Sequence, residues 1–238
     1  MPGTAAATTA AAEACAALDL AYRGITAVVE PLDEAGFFRP TRCAGWAICD
    51  LLVHVRMDAE RALIAFATPS PSPADLDAVT YWGTWADDFK SDLAAAHARH
   101  IRVVASAYAR PAGLVMHWRD IAEAAVRAAA AAPADGYVAT QGHVLAVPDF
   151  VRTLVVEAAI HHLDLTAELP DAPRPAAACL RVVRETLTTL AGESAAKALG
   201  GTGWDDATLA LKTTGRLELT EPERAQLGSL AERLPLFR

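Results

Sequence analysis

Apolar residues recur at helical spacing along most of the chain, and the breaks in that spacing mark the elements. Leu18, Tyr22, Ile25 and Val29 share a face, so a first helix is expected over 5–29, closed by Pro31. Ile48, Leu51, Leu52, Val55, Ala59, Ala62 and Phe66 form one face of a second helix over 46–66, with His54 near its edge. Pro69, Pro71 and Pro73 each lack a backbone donor and restrict the residue before them, so a loop follows. A third helix is expected over 85–109, stopping ahead of Pro111, and a fourth over 118–132. Residues 133–148, with Gly136 and Gly142, read as the loop into a fifth helix over 150–165.

The fifth helix is apolar around most of its circumference, which places it inside the protein. Yet Glu157, His161 and Asp164 stand at i, i+4 and i+7, a single stripe at about 100° per residue. Such groups are costly to bury unless paired, neutralised or bound to a cation, and a divalent metal would satisfy all three.

Pro170, Pro173 and Pro175 then make a stiff linker. The expected organisation is a bundle over 1–170 and an extension over 171–238 that packs on it. Within the extension, a helix over 176–199 closes at Gly200 and Gly201, and Asp205 with Asp206 caps a short helix through Lys212 that stops at Gly215. Leu209, Leu211, Leu217 and Leu219 also alternate as in a hairpin over 207–219, but the helix is preferred. Thr220 with Glu223 makes a capping box for a last helix to about residue 233.

Composition sharpens this picture. Hydrophobic residues make up 53%, alanine the commonest among them, and aromatics only 6%, which points to an all-α fold. A net charge of -8 and a pI near 5.3 argue against binding nucleic acid phosphates. Glu13 and Asp19 interrupt the N-terminal apolar residues, so neither a secretory signal nor a membrane span is expected, and the cytoplasm is the expected location. Cys15, Cys43, Cys49 and Cys179 form no Cys-x-x-Cys pair, so reduced, packed thiols are expected rather than a thiolate zinc knuckle or a redox dithiol.

Glu157 and His161, one turn apart, have the spacing at which a helix chelates one ion, as the two histidines of His-Glu-x-x-His do. A third ligand should come from another helix. His54 is the candidate, with His97, His100, His117, His143 and His162 as competitors that periodicity does not separate. The plainer alternative is a hydrogen-bonded Glu157–His161 pair, with His54 on a solvated edge between Asp50 and Asp58. His162, about 100° around the helix from His161, reads as packed or exposed. Trp46, Trp82, Trp85 and Trp118 are candidates to line a pocket, Trp82 and Trp85 being the nominees for cofactor contact, against ordinary core packing.

Gly45-Trp46-x-x-x-x-Leu51-x-x-His54, followed about a hundred residues later by Glu157-x-x-x-His161-x-x-Asp164-Leu165, resembles the DinB-like superfamily and, within it, the mycothiol-dependent maleylpyruvate isomerase group. The tail, Trp204-Asp205-Asp206-x-Thr208-Leu209-x-Leu211-Lys212-x-Thr214-Gly215-Arg216 with Leu234-Pro235-Leu236, is similar to the group's shorter members. The resemblance implies a DinB-like four-helix bundle with a small, mainly helical C-terminal extension. It assigns a divalent metal, zinc or else nickel, to His54, Glu157 and His161, with mycothiol as the thiol cosubstrate. In such a site the metal lowers the pKa of an incoming thiol, which then acts as a nucleophile.

Two enzymatic outcomes follow from that resemblance: S-transfer to a small electrophile, or cis–trans isomerisation of maleylpyruvate. The isomerase carries a fuller C-terminal domain with an arginine directed to its acidic substrate, whereas here Arg216 is the sole nominee and also reads as a surface arginine after a helix cap. S-transfer is therefore favoured, isomerisation is the alternative, and a non-catalytic bundle binding a metal or small molecule is a third reading. Asp164 either orients a ligand imidazole or caps a neighbouring helix. The expected partner is a small-molecule electrophile, with no nucleic acid and no membrane, and the chain is expected to be a monomer or homodimer.

Overall fold

In the computed structural model, which describes residues 2–85 and 92–237, three helices open on a side-chain cap, Asp33, Asp205 or Thr220, and Pro111 and Pro148 stand in the first turn of two others. Eleven α-helices are present among the described residues: α1 (Pro2–Val29), α2 (Glu34–Phe37), α3 (Ile48–Ala67), α4 (Asp92–Ser106), α5 (Pro111–Ala131), α6 (Val147–Leu165), α7 (Ala177–Ala191), α8 (Glu193–Gly200), α9 (Asp206–Thr213), α10 (Glu221–Leu227) and α11 (Ser229–Arg233). The fold is mainly a helical bundle, with one small hairpin, β1 (Tyr137–Thr140) and β2 (His143–Ala146). No helix among the described residues is long and apolar enough to cross a membrane.

Four helices make the bundle. α1 packs along α5 and α6, and α3 packs along the same two, so α1 and α3 sit diagonally across the core. Leu18, Ile25, Leu51, Leu52, Trp118 and Val155 are fully buried between them. Trp118 can be buried because its indole N–H donates to Thr26 Oγ1 at 3.0 Å. With α7 covering another flank, α6 is enclosed by α1, α3 and α7, which is why its residues are buried almost all the way round.

Several boundaries differ from the sequence expectation. Pro111 does not terminate the preceding helix but opens α5, where its missing N–H has no intrahelical partner to lose. α5 thus begins seven residues ahead of the expected start. Within the described residues the expected third helix runs Asp92–Ser106, ending three residues early, and Thr80–Trp85 forms a 3-10 turn; residues 86–91 lie outside the described residues. The expected loop over 133–148 holds the hairpin and the first turn of α6. Gln141 and Gly142 both have positive φ (50° and 85°), as a two-residue hairpin turn requires, and Thr140 pairs with His143. Gly192, at φ 89°, divides the expected helix over 176–199 into α7 and α8, and Gly228, at φ 57°, divides the last helix into α10 and α11.

The extension is ordered by its own polar contacts. Thr220 and Glu223 form the expected capping box, Asp205 caps α9 through Thr208 N–H at 2.7 Å, and residues 206–213 are helical rather than a hairpin. Lys212 is buried against Glu223 and lies over the Trp204 ring at 5.3 Å. At the end of α9, Gly215 at φ 71° reverses the chain, so that Arg216 N–H bonds back to Leu211 O at 2.8 Å and Gly215 N–H to Lys212 O at 3.3 Å. This reversal aims Arg216 at α6.

Candidate metal centre

The adjacency of α3 and α6 brings the second-helix histidine onto the polar stripe of the central helix. His54 from α3 and Glu157 and His161 from α6 each present a ligand atom, and these three atoms lie within 4.8 Å of one another. His161 Nε2 is 3.1 Å from Glu157 Oε2, and the His54 and His161 rings meet edge to face at 4.9 Å. His54 is mostly enclosed, its side chain 18% exposed, so it does not sit on the solvated edge that its flanking acids suggested. Asp50, one of those acids, instead accepts the Ala47 N–H at 3.0 Å and opens α3.

His161 is held from behind. Its Nδ1 lies 3.0 Å from Asp164 Oδ2, and Asp164 is fully buried. Of the two roles considered for Asp164, the geometry realises the contact to His161. When that Nδ1 donates its hydrogen to Asp164, the lone pair of neutral His161 stands on Nε2, facing Glu157 and His54. Arg216 is not a surface arginine: its side chain is 14% exposed, and its Nε donates to both Asp164 oxygens at 2.9 Å. Cys43 Sγ also donates to Asp164 Oδ2 at 3.4 Å.

The titration behaviour of these groups follows from that arrangement. Burial would push His161 down, but its hydrogen bonds to Asp164, Cys43 and Glu157 outweigh this and hold it well above the usual histidine value. Burial would push Glu157 up, and the bond to His161 with the fields of His161, His54 and Arg216 hold it low instead. His54 is pushed down by burial, partly offset by Asp58. Ions already pair Asp58 with Arg61 at 2.7 Å and Asp164 with Arg216. The direct partner of Glu157 among the described residues is the His161 imidazole, so a proton on His161 and a divalent cation compete for the same place.

A cation fits these residues on two grounds. The donors are one carboxylate and two imidazoles, a set suited to zinc with open positions. In addition, Asp58 Oδ2 is buried with no hydrogen-bond partner among the described residues, 3.4 Å from His54 Nε2, and a nearby positive charge would offset that cost. Cys43, His161 and Asp164 also come within 4.8 Å of one another. That second cluster is the poorer cation site, because Asp164 already serves three donors and the Arg216 guanidinium would face the ion.

Of the remaining candidates, His97 adjoins the cluster. His97 Nε2 is 3.3 Å from His54 Nδ1, and Trp46 lies against both rings at 5.3 and 6.2 Å. His117 bonds Tyr108, His143 bonds Asp75, and His162 is packed, its Nε2 at 2.8 Å from Pro173 O. Trp82 stacks on Phe237 at 4.4 Å, is 4% exposed, and packs behind Tyr81 rather than lining the narrow cleft beside Glu157, which Asp58, Arg61, Tyr81, Gln141 and Phe150 help to line. The Trp85 side chain lies outside the described residues. Cys43 and Asp58 are the site residues that sequence reasoning missed. Asp58 had a signal, standing at i+4 from His54, whereas Cys43 is brought in by a loop and had none.

The family model for the mycothiol maleylpyruvate isomerase N-terminal domain matches residues 18–166. The chain belongs to that family. The match covers the four bundle helices from Leu18 onward and includes His54, Glu157, His161 and Asp164; Arg216 lies beyond it. Searches of curated proteins and of solved structures find no significant match. The family's name is what links the chain to mycothiol.

Proposed function

We propose that this protein is a metal-dependent enzyme that uses a low-molecular-weight thiol, mycothiol, as the nucleophile in S-transfer to a small electrophile. The observation that carries the reading is the convergence of His54 with Glu157 and His161 inside a family whose name joins mycothiol to isomerase chemistry. Glu157 and the two imidazoles would hold the ion, zinc or else nickel. Bound there, a divalent cation supplies a Lewis acid that favours the thiolate over the thiol at neutral pH.

The chain's own residues do the rest. Asp164 holds His161 with Nε2 toward the site, Phe150 and Leu154 give the cleft an apolar wall, and Arg61 with Gln141 gives it a polar one. In the overall reaction a carbon–sulfur bond forms, the carbon–leaving-group bond breaks, the leaving group takes the bonding pair, and the thiol proton goes to solvent. If the electrophile is an epoxide, the ring oxygen takes that proton instead.

Maleylpyruvate isomerisation is the second reading, favoured by the family's name. Against it, the one arginine nominated in the extension is engaged by Asp164 rather than turned toward the cleft. The test has two parts. Purified protein should carry stoichiometric zinc or nickel by elemental analysis, with loss in His54→Ala and Glu157→Ala. Incubated with mycothiol, it should conjugate chlorodinitrobenzene without isomerising maleylpyruvate. Isomerisation without conjugation would overturn the choice of reaction, and metal-free wild-type protein would overturn the metal reading itself, leaving a binding bundle.

A further inference from the structure

We propose that Arg216 is a positioning residue for the metal centre: it clamps both oxygens of Asp164, and Asp164 fixes the His161 ring, so the C-terminal extension completes a site whose ligands all lie in the bundle. The inference rests on the metal reading above but concerns a different part of the chain.

The contact is built rather than incidental. Asp164 is fully buried, and Arg216 Nε donates to Oδ1 and Oδ2, both at 2.9 Å. A buried carboxylate can stay charged at such a position only if its donors are fixed. Here they are. The end of α6 is itself tied down, since Arg42 N–H donates to Asp164 O at 3.3 Å and the Arg42 guanidinium to Leu163 O. Asp164 therefore has a fixed backbone, and Arg216 and Cys43 set the orientation of its carboxylate, which leaves Oδ2 at 3.0 Å from His161 Nδ1.

Arg216 in turn stands on rigid ground. The reversal at Gly215 sets its backbone, where a Cβ would come within 3.2 Å of Pro235. Lys212 and Glu223 lock α9 to α10, Leu236 N–H bonds Thr213 O at 2.8 Å, and Phe237 stacks on Trp82 of the 3-10 turn. An arginine free to swing out as a substrate anchor would not need this support. Residues that orient a metal-bound histidine through its second nitrogen typically change metal affinity by about 10- to 100-fold when removed.

The experiment measures zinc affinity of the full chain by chelator competition in the wild type, Arg216→Ala, Arg216→Lys, Asp164→Asn and the Arg216→Ala/Asp164→Asn double variant, with circular dichroism to confirm folding. The visible spectrum of the cobalt-substituted protein reports ligand geometry. The expected result is about 10-fold weaker zinc binding in Arg216→Ala with an altered cobalt spectrum, partial recovery in Arg216→Lys, and no further loss from Arg216→Ala once Asp164 is Asn. Should Arg216→Ala fail to fold, Arg216→Lys carries the comparison, with about threefold weaker binding expected because an ammonium on a flexible stem does not hold its donor where the planar guanidinium fixes Nε. Wild-type affinity and spectrum in the folded Arg216 variant would overturn the inference, as would an equal loss in the wild-type and Asp164→Asn backgrounds. Stoichiometric zinc in the wild type keeps the parent reading intact under either of those outcomes, whereas its absence overturns both.

Discussion

His162 shows how tightly the residues around the centre are fitted. A Cβ added at Gly24 of α1 would meet its Cε1 and Nδ1 at 2.9 Å, so α1 and α6 approach closely only because position 24 has no side chain. Gly24→Ala should destabilise the protein by about 1–3 kcal/mol, since the displaced imidazole also loses its bond to Pro173 O; the midpoint of urea unfolding measures it, and an unchanged midpoint would contradict the fit. Glu223 gives a pH-dependent counterpart. Bonds to Lys212, Thr220 and Trp204 hold its carboxyl at about 2, below the ordinary 4.5. Because the folded value is depressed, its contribution is present above pH 4.5 and is lost as pH falls toward 2. Glu223→Gln should therefore lower stability at neutral pH, with the gap from wild type closing over that acidic range in unfolding curves collected at each pH.

At the scale of elements, two glycines with positive φ, Gly192 and Gly228, end helices within the extension, and this is where the sequence was hardest to read. Periodicity carries straight through Gly192, yet at φ 89° and ψ 163° it occupies a conformation reserved for glycine and separates α7 from α8. Gly192→Ala should cost about 1–3 kcal/mol in chemical denaturation. Stabilisation instead, as expected of alanine within one continuous helix, would contradict the break. The hairpin was missed for another reason: each strand has four residues, too few for alternation to stand out, and its turn uses Gln-Gly rather than Asn-Gly. The long amphipathic faces of α1, α3 and α6 were legible because burial of a stripe leaves a regular trace along a helix. Glu157, His161 and Asp164 were legible for the same reason. Cys43 and the partner of Arg216 were not, since both depend on contacts between loops and a helix far away in the chain.

Across the whole molecule, the diagonal arrangement of α1 and α3 puts α3 beside α6, and that adjacency turns two separate sequence motifs into one cluster. The extension closes around the same helix through α7 and Arg216, so the bundle and the tail share the burial of α6. The family match spans the bundle, and the Arg216 contact extends the site beyond it. X-ray absorption at the zinc edge of the zinc-loaded, thiol-free protein tests the account most directly. It predicts only nitrogen and oxygen neighbours at about 2.0–2.2 Å, including two imidazoles, as His54, Glu157 and His161 require. A sulfur neighbour at about 2.3 Å would place the ion on Cys43 instead and contradict the assignment, and so would protein that retains no zinc.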